Sequence, residues 1–128
     1  MERLKERLEI AQKALERLEE ILVIEDYSDV ERDAAIQRFE FTFETVWKAA
    51  KDYLFVVEGI EAGSPKGVIR SCREIGVLDD EETEMALRMT DDRNLTVHTY
   101  NEKLAGEIFQ RIRVYAPLLR KWLKGLTP

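Results

Sequence analysis

The chain has 128 residues, 45% hydrophobic and 36% charged. That suits one domain with one core and excludes a disordered chain. No apolar run approaches the roughly 18 residues of a membrane span, and the amino-terminal "MERLKERLEI" lacks the apolar block of a signal peptide. One cysteine, Cys72, excludes a disulfide framework or a metal cluster within one chain. A reduced, cytoplasmic protein is the expectation. A net charge of −6 argues against nonspecific nucleic-acid binding by the whole surface.

In chain order, Leu4, Leu8, Ala11, Leu15, Leu18 and Leu22 recur at steps of 3 and 4 and predict a first long helix. "EDYSDVERD" then breaks the pattern and supplies cap candidates. A second long helix is expected from near Val30. Its stripe is Ile36, Phe39, Phe43, Val46, Ala50, Leu54 and Val57, and Gly59 is its stop. Two such stripes on a short link suggest an antiparallel pair. The aromatic residues Phe39, Phe41, Phe43, Trp47 and Tyr53 exceed one stripe and suit a core or a subunit interface.

"GSPKGVIRSCREIG" predicts a short helix, with Ser64 as N-cap, Pro65 at the first position and Gly76 just past the end. A second short helix follows, opened by Asp79 and Glu82 at capping-box spacing. The carboxylates Asp79 to Glu82 suit a positive helix start without any metal. The last helix is expected from near Asp92 to Tyr115, with a kink near Arg113 to Pro117. The whole reads as all-α: an antiparallel bundle of about five helices in a single domain, residues 1–128.

Charge is uneven along the chain. Residues 101–128 hold six basic and two acidic side chains, net +4, so the first hundred carry 14 basic against 24 acidic, net −10. The positive tail is either a surface for RNA or an acidic partner, or a solvated helix face.

Chemistry concentrates in "RNLTVHTY", residues 93–100, which holds the only histidine, His98. On one continuous helix Asn94 and His98 share a face, Arg93 lies about 140° from His98, and Tyr100 returns to within about 20° of Arg93. Arg93 and His98 then converge only if the arginine reaches around or another subunit completes the site. Alternatively, Arg93 pairs with Asp91 or Asp92 on the surface. Histidine moves protons near neutral pH, and arginine's fork matches a phosphate. Together they could cleave RNA through its own 2′-hydroxyl without metal. Other templates fail on inventory: one histidine cannot make the usual zinc sites, and no GxxxxGK[ST], GxGxxG or GxSxG occurs. Cys72, though beside Arg70 and Arg73, reads as a small buried residue.

Over residues 29–115 the order of "RDAAIQRFEFTFETVWKAAKDYL", "SPKGVIRSC", "GVLDDEE" and "MTDDRNLTVHTYNEKLAGEI" resembles the HEPN superfamily, in its nucleotidyltransferase substrate-binding protein group. That family's signature is an arginine, four to six residues and a histidine, often with a polar residue after the arginine. Arg93, Asn94 and His98 match it, and Tyr100 matches the tyrosine that can follow. The resemblance implies a helical homodimer with a metal-independent endoribonuclease site between subunits and no cofactor. In it Arg93 and His98 are catalytic, and Asn94 and Tyr100 contact substrate. It also implies a separate minimal nucleotidyltransferase as partner in a toxin–antitoxin pair, able to transfer AMP to Tyr100, so that a nucleotide arrives through the partner. Two alternatives remain: a noncatalytic substrate-binding subunit of a nucleotidyltransferase, and a helical interaction module whose "RNLTVHTY" is plain surface.

Overall fold

The structure, a computed structural model, describes residues 1–127. Its order is α1 (Glu2–Leu22), α2 (Asp29–Glu58), α3 (Pro65–Glu74), α4 (Asp80–Leu95), a short 3-10 turn (Thr96–His98) and α5 (Glu102–Gly125), with no strand among the described residues. No helix there is long and apolar enough to cross a membrane.

The boundaries follow local chemistry. Ser28 opens α2 by accepting from the Glu31 amide, while the Glu31 side chain accepts from the Ser28 amide. Asp79 and Glu82 repeat this exchange at α4, and Ser64 with Pro65 starts α3. Gly59 ends α2 at φ 68°, a left-handed conformation in which a Cβ would be strained. Three of the four carboxylates from Asp79 to Glu82 are engaged: Asp79 and Glu82 cap, Asp80 pairs with Arg73, and Glu82 also pairs with Lys121.

One apolar core joins all five helices. Leu15 and Leu18 of α1, Phe39, Phe43 and Leu54 of α2, Ile69 of α3, Met89 of α4 and Ile108, Leu119 and Trp122 of α5 are fully buried. Phe39 stacks on Tyr115 with centroids 5.9 Å apart. Trp122 donates its indole N–H to the Cys72 sulfur at 3.4 Å, so Cys72 is the small buried residue expected. Of the aromatic group on α2, Phe39 and Phe43 are core, whereas Phe41 is exposed.

The end of the chain departs from expectation in two ways. Asp92 belongs to α4, and the last helix begins at Glu102 and continues through Pro117 to Gly125. The cause is side-chain competition for the backbone: Thr96 donates to the Arg93 carbonyl at 2.7 Å and Thr99 to the Thr96 carbonyl at 2.8 Å. Asn101 then caps a new helix by accepting from the Leu104 amide. The basic tail, too, is mostly engaged within the chain. Arg120 pairs with Glu19, Lys121 with Glu82 and Arg111 with Asp92, while Arg113 lies over the rings of Phe109 and Tyr27.

Candidate functional site

The break between α4 and α5 places the residues of "RNLTVHTY". Arg93 and Asn94 are in the last turn of α4, His98 closes the 3-10 turn, and Tyr100 stands in the turn before α5. Asn94 and His98 therefore do not share a continuous helical face as the sequence suggested.

Two anchors fix the segment. Asp92, buried, accepts two hydrogen bonds from Arg111 (2.7 and 3.0 Å) and one from the Tyr115 hydroxyl. Burial, reinforced by that bond, pushes the Tyr115 phenol well above its ordinary range. On the far side, Arg32 of α2 reaches Glu102, at the first position of α5, at 3.3 Å.

Between these anchors the two motif groups have different neighbours. Arg93 is partly buried and turned towards α2, 3.9 Å from Glu40 and 3.7 Å from Glu44. Neither Asp91 nor Asp92 is its partner, because Asp91 pairs with Lys66 at 2.7 Å and Asp92 with α5. The contacts to Glu40 and Glu44 are longer than hydrogen bonds, and the buried Nε has no partner. The guanidinium thus holds unused donors. It lines, with Asn94, Thr90, Lys66 and Glu44, a hollow of about 320 Å³. His98 is exposed and meets the Tyr100 ring edge-on at 6.0 Å. Tyr100 is 83% exposed, and Leu95 and Val97 beside it are exposed as well.

Glu40 and Glu44 were not singled out from the sequence, where "RFEFTFETVWK" reads as aromatic packing. A signal was present: two carboxylates four residues apart on one helix repel, and a nearby cation relieves that.

The arrangement can hold an anion at Arg93 and offers an imidazole and a phenol to whatever approaches the exposed turn. The family model for nucleotidyltransferase substrate binding protein like sequences matches residues 6–128. The chain belongs to this family. The chain is similar to the probable ribonuclease HepT of Haemophilus influenzae, 33% identical over 82 residues, 61% of this chain and 55% of that protein. The match thus spans about half of that relative's length. A crystal structure from Thermus thermophilus is 58% identical, with a TM-score of 0.89 over 92% of this chain and 99% of that one. A second structure, from Haemophilus influenzae and described as the fold of a substrate binding domain of a nucleotidyltransferase, has a TM-score of 0.77 over 93% of this chain and 98% of that one. At 24% identity, that likeness shows a shared helical fold.

Proposed function

We propose that this chain is the ribonuclease half of a toxin–antitoxin pair. It works as a homodimer beside a separate minimal nucleotidyltransferase, a reading supported by the family's description as nucleotidyltransferase substrate binding. The observation that carries the reading is the exposed His98–Tyr100 turn, flanked by exposed Leu95 and Val97, next to an arginine with unused donors. Apolar side chains left in water around a titratable group suit a second copy. That copy would bring its own imidazole to the guanidinium.

In this reading His98 takes the proton of an RNA 2′-hydroxyl. The oxygen attacks the adjacent phosphorus, the bond to the 5′-oxygen breaks, and a 2′,3′-cyclic phosphate and a 5′-hydroxyl result once the leaving oxygen takes up a proton. Arg93 stabilises the charge growing on the phosphoryl oxygens, and Asn94 orients the phosphate. Tyr100 contacts substrate and is the site of regulation. Its phenolic oxygen attacks the α-phosphorus of ATP held by the partner, pyrophosphate leaves, and the added AMP places bulk and negative charge beside Arg93.

The test is RNA cleavage by the purified protein in chelator. Wild type should cleave, and His98→Ala should lose about 10²–10⁴-fold. Its melting temperature should hold, since an exposed side chain contributes within about 0.5 kcal/mol. Unchanged cleavage in the variant overturns the assignment. A second reading, a noncatalytic substrate-binding subunit, is favoured by the two carboxylates, Glu40 and Glu44, that stand near Arg93 and oppose a phosphate there. It predicts no cleavage, a stable complex with the nucleotidyltransferase, and nucleotide binding only in that complex.

A further inference from the structure

Among the described residues, a cluster of cations without ion-pair partners lies away from the motif. Between α1 and α2 runs a groove of about 640 Å³ floored by Ile10, Ala14, Ala34 and Phe41 and edged by Lys13, Arg17 and Arg38. No carboxylate lines it, and among the described residues none of the three cations is in an ion pair. In a chain of net charge −6 this is a local reversal of sign. Arg38 donates to the Arg17 carbonyl across the groove at 2.7 Å, which holds its charge at the edge and leaves that charge uncancelled. Glu9 and Glu16 line a separate hollow on α1 that Lys13 also borders.

The groove has a direction. Ile10 and Phe41 also line the next hollow along α2, and Glu44 of that hollow lines the one at Arg93. Beyond the groove the cations are matched, Lys48 by Glu44 and Arg93 by Glu40 and Glu44. The surplus positive charge is therefore at the end remote from the motif. Phe41 and Ile10, 58% and 50% exposed, present apolar surface midway.

We propose that this groove is a binding track for single-stranded RNA, which leads the strand from Lys13, Arg17 and Arg38 past Phe41 to Arg93. Phosphates take the cations, and an unpaired base stacks on Phe41, which a base-paired duplex could not offer. From Ala34 to Lys48 the track follows about 21 Å of helix at about 1.5 Å per residue, enough for a strand of about four nucleotides. A second copy seated groove to groove about a two-fold axis would set one cationic surface against the other, which repels. The track rests on the RNA reading of the motif, but its test reads binding and needs no cleavage.

The probe is a fluorescein-labelled 12-nucleotide oligouridylate, titrated with the full chain carrying His98→Ala so that it survives. Anisotropy is followed over a range of salt concentrations. Lys13→Gln with Arg17→Gln should weaken binding at least fivefold at moderate salt. It should also lower the slope of log affinity against log salt by about 1.4, at about 0.7 per lost phosphate contact. Phe41→Ala should weaken binding at least fivefold, with little change in slope. Lys124→Gln, which removes an exposed cation outside the groove, should change it less than twofold. All four positions are exposed, so unchanged thermal melts are expected and checked. Equal effects from Lys124→Gln and the groove variants, or no effect from the latter, overturn the track. So does a change of mass in light scattering with Phe41→Ala, which assigns the groove to a second copy. Preferential binding of a Leu/Glu amphipathic peptide over the RNA assigns it to a protein partner and also overturns it. Groove-dependent binding without any cleavage by wild type refutes the ribonuclease reading and leaves the track standing. His98-dependent cleavage with groove-independent binding does the reverse.

Discussion

Cys72 shows how a single side chain is set by its surroundings. Fully buried, its thiol is pushed from an ordinary 9.0 up to about 11, partly opposed by the Trp122 N–H. The folded chain keeps this proton until about pH 11, while the unfolded chain releases it near 9. Between those values the unfolded state binds fewer protons, so stability falls as pH rises, and the contribution is complete below about pH 9. The separation corresponds to something on the order of 2 kcal/mol. Urea unfolding at intervals across that window should show wild type losing more stability than Cys72→Ala. Parallel losses would refute the burial argument. The same logic explains Arg93: with its Nε buried and only long contacts to two glutamates, it keeps donors for an anion.

At the scale of elements, the interruption between α4 and α5 matters most. A continuous helix would present Arg93, Asn94, His98 and Tyr100 around one cylinder. Instead Thr96 and Thr99 take backbone carbonyls, the chain tightens to a 3-10 turn, and Asn101 restarts the helix. Asp92 and Glu102 clamp the two ends of the turn to α5 and α2 respectively. Asn101→Ala removes the cap and should cost about 1 kcal/mol, read as a lowered urea midpoint with unchanged slope. Hydrogen exchange should rise in residues 96–104 before it rises elsewhere. Uniform acceleration along the whole chain would mean that the turn is not an independent weak point.

For the molecule as a whole, charge and exposed apolar surface divide the labour. The cations of α5 stitch it to α1 and α4, and those of the α1–α2 groove remain unmatched. If His98 of one copy serves Arg93 of another, cleavage per chain must fall on dilution below the dimer dissociation constant. Light scattering should report the same midpoint. Full activity from a monomer would exclude a shared site.

Residue order alone was enough to indicate a helical bundle, where most helices start and stop, and which short segment carries the single histidine and the residues proposed for chemistry. Those features are written in periodicity, in Ser64–Pro65, in the Asp79–Glu82 exchange and in "RNLTVHTY", all local in the chain. Other features were visible only after folding. Glu40 and Glu44 face Arg93 because α2 packs beside α4, and Asp92 turns to Arg111 because α5 folds back across it. Lys13, Arg17 and Arg38 form one groove only because α1 lies along α2. Each joins residues far apart in the chain, and a pattern of 3.6-residue steps contains no information about which face of one helix meets which face of another. The break at Thr96 was local yet missed, because its outcome turns on two hydroxyls competing with a backbone ladder that the surrounding periodicity favoured.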